Sequence, residues 1–95
     1  VMSHFVYIVR CADQSLYTGY ATDVEKRLRE HNGEVNIKAA ARYTRGRRPV
    51  ALVYRESCET RSDALKRECA IKALTRAEKL LLIDLFDNNI SNKVS

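Results

Sequence analysis

The sequence predicts an α+β domain in which a three-stranded antiparallel sheet is flanked by helices, in the order ββα then βαα. Three observations carry this. Two β-branched and aromatic runs, Phe5–Cys11 (FVYIVRC) and Leu16–Tyr20 (LYTGY), flank the turn residues ADQS, as the arms of a hairpin do. A third such run, VALVYRE, follows Pro49. Most other apolar residues recur at helical spacing behind residues that cap helix starts.

The first helix begins at Thr22, where Glu25 completes a capping box; it runs to about Asn32 and stops at Gly33. Glu34 to Gly46 carries the weakest pattern. Asn36–Tyr43 (NIKAAARY) reads as a short helix, followed by the basic loop YTRGRRP. Thr60 with Asp63 opens a second long helix to about Leu74, and Thr75 with Glu78 caps a third, Arg76 to about Asn88. The expected organisation is one domain over residues 1–90 and a disordered polar tail over 91–95.

Composition narrows the class. The chain has 95 residues, 45% hydrophobic and 31% charged, within the range of globular domains. Seventeen Lys and Arg against 12 Asp and Glu give a net charge of +5 and a pI near 9.3, which favours a polyanionic partner. The three cysteines, Cys11, Cys58 and Cys69, are odd in number and form no CxxC pair. They read as reduced, buried thiols rather than a disulfide framework or zinc site. No apolar run reaches membrane-spanning length, and VMSHFVYIV lacks the basic start and apolar length of a secretory signal. The expected setting is the cytoplasm, away from membranes.

The helical pattern breaks at two places. Val24, Arg27, Leu28 and His31 share one face of the first helix, so the apolar stripe that packs inward carries an arginine and a histidine on its edge. Asp23, Glu25, Lys26, Arg29 and Glu30 read as its solvent face. In the second long helix, Ala64, Leu65, Cys69 and Ile71 mark an apolar arc, and Arg61, Glu68 and Lys72 fall inside it. Glu68 and Lys72 are spaced as an i,i+4 ion pair. A carboxylate held in that seam could also carry a divalent metal, with Lys72 on phosphate. Tyr7 and Tyr17 are candidates to share a site with these groups.

The ordered set Phe5-Val6-Tyr7, Tyr17-Thr18-Gly19, Arg27 and His31 four apart, and a helical Glu68 resembles the GIY-YIG nuclease superfamily. KRLREHN, ARYTRGRRPVALVY and RSDALKRE are similar to its small stand-alone bacterial branch, the URI-type domain. Phe5-Val6 departs from Gly-Ile, and Thr18 stands where the second motif has Ile. The resemblance implies a metal-dependent endonuclease acting on phosphodiester bonds of DNA rather than RNA, in repair or processing, with Mg²⁺ or Mn²⁺. In that picture Glu68 is the metal ligand, Arg27 clamps the scissile phosphate, and Tyr7 is the general base. His31 takes the phenolic proton, Tyr17 orients water or phosphate, and Gly19 allows close backbone approach. Lys38, Thr44, Arg45, Arg47, Arg48 and Lys72 are the candidate phosphate contacts. A monomer without a separate DNA-reading module is expected, with a partner protein for targeting. The alternative is a nucleic-acid-binding module that keeps the fold without cleavage, because a family-typical helical Asn is not evident near Leu80.

The two-tyrosine site makes a geometric demand. A regular hairpin with the even loop Ala12–Ser15 pairs Arg10 with Tyr17 and puts Tyr7 and Tyr17 on opposite faces. An odd loop or a bulge puts both on one face.

Overall fold

The computed structural model describes residues 3–34 and 42–94. The order is β1 (His4–Arg10), β2 (Leu16–Ala21), α1 (Val24–His31), α2 (Arg42–Arg45), β3 (Ala51–Cys58), α3 (Arg61–Lys72) and α4 (Arg76–Val94). The strands form one antiparallel sheet in the order β2-β1-β3. The expected α+β fold is therefore observed. Most of Asn36–Tyr43, and with it Lys38, lies outside the described residues; α2 begins at Arg42.

The central strand β1 separates two apolar layers. Val6 and Ile8 face Tyr54 of β3, Ala64 and Ile71 of α3 and Ile83 of α4. Tyr7 and Val9 face the other way, with Ala21, Val24 of α1 and Val50. Strand alternation thus gives one face to α3 and α4 and the other to α1.

The hairpin loop is odd. Cys11 N–H donates to the Ser15 carbonyl (2.9 Å), and Gln14 N–H closes a turn on the Cys11 carbonyl (2.9 Å). Gln14 takes a left-handed φ of 72°, as the last residue of a three-residue hairpin turn often does. The resulting register sets Tyr7 opposite Gly19 and Val9 opposite Tyr17. Tyr7 and Tyr17 therefore share a face, as the two-tyrosine site requires.

Helix starts follow local chemistry, with one correction. Thr60 accepts from Asp63 N–H (3.0 Å), and Thr75 and Glu78 form a reciprocal capping box (2.9 and 3.2 Å). At α1 the cap is Asp23, not Thr22: its carboxylate accepts from Lys26 N–H (3.0 Å). A carboxylate one residue later is the stronger cap, and Glu25 pairs with Arg55 instead (3.0 Å). Helix α4 continues to Val94, past the end near Asn88 that the sequence suggested and through the tail positions up to 94.

Two expectations about burial change. On α3 only Ala64 and Ile71 are buried; Leu65 and Cys69 are exposed, so the apolar arc is narrower than the wheel implied. Of the cysteines, only Cys11 is buried; Cys58 is partly so. On α4, Leu81 and Leu85 stand exposed one turn apart. No helix among the described residues is long and apolar enough to cross a membrane.

Gly33 ends α1 with φ +76°. A Cβ there would also lie 2.7 Å from Arg48 Nη1. Gly33→Ala should cost about 1–2 kcal/mol from the left-handed backbone alone. Thermal or urea denaturation reads this directly, as a lowered midpoint with an unchanged m-value.

Candidate active site

The site is built where β1, β2 and α1 meet. Tyr7 is 2% exposed, and its hydroxyl lies 2.7 Å from His31 Nε2. His31 is fully buried, and its Nδ1 lies 2.8 Å from Thr44 Oγ1. The three side chains form one buried polar chain. Arg27 adds a hydrogen bond to the Tyr7 hydroxyl. Tyr17 packs edge-on against His31, with ring centroids 5.3 Å apart.

Donor and acceptor roles follow from this arrangement. A guanidinium can only donate, so the Tyr7 oxygen accepts from Arg27; in the relay tautomer the Tyr7 O–H donates to His31 Nε2. Nε2 is then an acceptor, and a neutral imidazole must carry its proton on Nδ1, which donates to Thr44.

Electrostatics keep both groups neutral at rest. Burial holds the Tyr7 phenol up at about 12, against a pull downward from Arg27 and pushes upward from Tyr17 and Glu68. Burial, helped by Arg27 and Arg48 and opposed by Glu30, holds His31 down at about 4.

The depressed His31 predicts an acid window. The unfolded chain takes up a proton near pH 6.5 and the folded chain only near 4, so the unfolded state binds more protons between those values. Stability contributed by the neutral imidazole is complete above 6.5 and is lost as pH falls towards 4, by about 3 kcal/mol in all. The wild-type melting temperature should drop between pH 6.5 and 4.5, and His31→Gln should flatten that slope.

Gly19 has a steric reason to be glycine. It sits opposite Tyr7 in the register, and a Cβ there would lie 2.6 Å from Tyr7 Cζ, with the hydroxyl closer still. The tyrosine ring lies against the strand backbone in the space a side chain would take.

The segment after α2 is a strap rather than a free basic loop. Ala12 N–H donates to the Arg47 carbonyl (2.9 Å), tying the strap to the hairpin turn. Arg47 Nε reaches Asp13 (3.0 Å), its Nη1 reaches the Tyr43 carbonyl (2.8 Å), and its guanidinium lies 4.1 Å from the Tyr43 ring centroid. Arg48 Nε donates to the His31 carbonyl (2.6 Å) and closes the end of α1. Asn32 pairs with both backbone groups of Val50 (2.7 and 3.1 Å).

These clamps place Thr44 on His31 and leave it fully buried. Arg45 is exposed. Of the expected phosphate contacts in this loop, Thr44 and Arg48 thus hold α1 and its histidine, and Arg47 bridges the turn.

Glu30 was placed on the solvent face by the helical wheel but is 8% exposed. It pairs with Arg27 (3.1 Å), one turn away. Arg27 is therefore held between Glu30 and Tyr7. The i,i+3 spacing of an acid and a base was visible in the sequence; its direction was not.

Glu68 comes from α3, which touches both β1 and β2. Its side chain is 16% exposed, and Oε2 lies 3.0 Å from Lys72 Nζ. Its charge reaches Tyr7 weakly, raising the phenol, and Tyr17 acts in the same way on Lys72, so the α3 pair is within electrostatic range of the two tyrosines. Among the described residues no three His, Cys, Asp or Glu converge. The donor set is one carboxylate, which suits a Mg²⁺ ion that keeps most of its waters and takes phosphate oxygens.

Comparison with known proteins agrees with this fold. Residues 3–80 match the family model of the GIY-YIG catalytic domain. A UPF0213 protein of Staphylococcus aureus is 60% identical over 82 residues, covering 85% of this chain and 94% of its own. Two solution NMR structures are similar. A UPF0213 protein from Bacillus halodurans has TM-score 0.56 and 42% identity, covering 88% of this chain and 85% of its own. A protein from E. faecalis has TM-score 0.60 and 41% identity, covering 92% and 88%.

Proposed function

Because the chain belongs to the GIY-YIG catalytic domain family, we propose that it is a metal-dependent endonuclease hydrolysing phosphodiester bonds, with DNA as substrate. The observation that carries this reading is the buried Tyr7–His31–Thr44 chain with Arg27 donating into it and the charge of Glu68 acting on Tyr7. A binding module needs no relay of buried hydrogen bonds from a phenol to an imidazole.

Glu68 would hold the divalent ion, Mg²⁺ or Mn²⁺, which would supply Lewis-acid stabilisation of charge on the phosphate. Tyr7 moves the proton. With its own proton already on the path to His31 Nε2, the phenol oxygen takes a proton from the attacking water as it hands its own on. That shuttle avoids a free phenolate, which burial disfavours. His31 gains the proton, and with it a charge, as the water is deprotonated; Glu30 favours that charge, while burial, Arg27 and Arg48 oppose it and favour its later release to solvent. Arg27, fixed by Glu30, points at the Tyr7 oxygen and stabilises negative charge developing on the phosphate. Thr44 and Arg48 position His31 through its Nδ1 and its carbonyl.

A panel of duplex, nicked, flapped and branched DNAs tests the reading, each incubated with and without Mg²⁺ or Mn²⁺. Metal-dependent cleavage of at least one substrate is expected. Salt-sensitive binding without cleavage under any metal would support the binding-module alternative.

A further inference from the structure

Between the hairpin turn and the start of α4 lies a notch of about 220 Å³ lined by Ser15, Leu16, Tyr43, Arg76 and Lys79. None of these residues belongs to the Tyr7–His31–Thr44 chain, yet the notch adjoins it. Tyr43 stacks on Tyr17 (5.7 Å between centroids), and Tyr17 packs on His31 (5.3 Å).

The notch is electropositive and uncompensated. The Arg76 guanidinium donates to a neutral group, the Gln14 carbonyl (3.0 Å). Among the described residues neither Arg76 nor Lys79 forms an ion pair. The nearby carboxylates are committed elsewhere. Asp13 holds Ser15 and Arg47, and Glu78 turns back onto Thr75 N–H. With Tyr17 stacked on Tyr43 and the Arg47 guanidinium 4.1 Å from its centroid, the ring faces are taken. What the notch offers is therefore positive charge and donors, not an aromatic platform for a base.

We propose that this notch is a phosphate subsite for the nucleic-acid strand, holding one phosphate on Arg76 and Lys79 beside the cleavage site. The proposal rests on the nuclease reading for the identity of its ligand. A backbone phosphate and a terminal phosphate share the chemistry, and the test separates them.

Fluorescence anisotropy would follow labelled oligothymidylates, with and without a 5′-phosphate, over a range of salt and without divalent metal. The proteins are wild type, Arg76→Gln, Lys79→Gln and the double variant, each checked by its melting temperature. The double variant should lose about fivefold or more in affinity, and its slope of log K against log salt should be shallower by about 0.7, the share of one single-strand phosphate. Loss confined to the 5′-phosphorylated strand assigns a terminal phosphate; equal loss assigns a backbone one. Unchanged affinity and slope in the double variant would overturn the proposal, as would a wild-type chain with no salt-dependent binding. Glu68→Gln run in parallel keeps the two claims apart. Cleavage lost in that variant, with normal binding by the notch variants, removes the subsite and leaves the nuclease. Notch-dependent binding by a wild-type chain that never cleaves removes the nuclease and leaves the subsite.

Discussion

Tyr7→Phe is expected to lower the metal-dependent cleavage rate by about 10²–10⁴-fold, the usual worth of a positioned proton-transfer group. The hydroxyl is the junction of the site: it accepts from Arg27 and donates to His31 Nε2 at 2.7 Å. Removing it breaks the proton path from water to imidazole and leaves Arg27 without one of its anchors. The ring itself remains, still packed with Val9 and Val24 in the α1 layer. Stability should therefore fall only by about 1–3 kcal/mol, the cost of a buried imidazole nitrogen left without its partner. Strand affinity should change little, so the effect belongs in kcat rather than KM. Single-turnover cleavage at saturating enzyme separates the two. A rate equal to wild type would exclude Tyr7 from the reaction.

Gly19→Ala should damage both fold and activity. The added Cβ would sit 2.6 Å from Tyr7 Cζ, so either the ring swings out or β2 moves away from β1. Overpacking of this kind costs about 1–3 kcal/mol. A displacement of about 1 Å at a reacting group can cost on the order of 10²-fold in rate. The mechanism is steric, which gives a sharp control. Tyr7→Phe removes the hydroxyl, the atom nearest the new methyl, so the stability costs of Gly19→Ala and Tyr7→Phe should be less than additive in the double variant. Additive costs would mean that Gly19 serves the strand and not the tyrosine.

The sequence carried the parts of this account that depend on local patterns. Strand alternation gave β1 its two faces, and Thr60 and Thr75 announced α3 and α4 through side chains that bond three residues on. The demand for an odd hairpin loop followed from parity alone, and the Cys11–Ser15 pairing meets it. Thr44, by contrast, is 13 residues from His31, and nothing in YTRGRRP distinguishes a buried hydroxyl from a surface one. Only the strap's tertiary ties to Ala12, Asp13 and the end of α1 turn it inward. For the same reason the run of arginines gave no sign that Arg47 also ties the hairpin turn and Arg48 the end of α1. Glu30 was misplaced because a helical wheel shows direction only relative to the packed face. The hydroxyl of Tyr7 draws Arg27, and Arg27 draws Glu30 out of solvent. Asp23 takes the cap in place of Thr22 because Asp is the stronger capping residue, and its carboxylate accepts from Lys26 N–H.

The most direct test of the central claim is cleavage of a DNA substrate by wild type and Glu68→Gln at matched protein and Mg²⁺ or Mn²⁺ concentrations, with strand binding measured alongside. Glutamine keeps the shape of the side chain and removes the charge that borders Tyr7. Metal-dependent cleavage by wild type is expected, with a loss of about 10²-fold or more in Glu68→Gln, the scale of a removed electrostatic contact in the transition state, and with binding retained. Equal metal-dependent cleavage by the two proteins would contradict it.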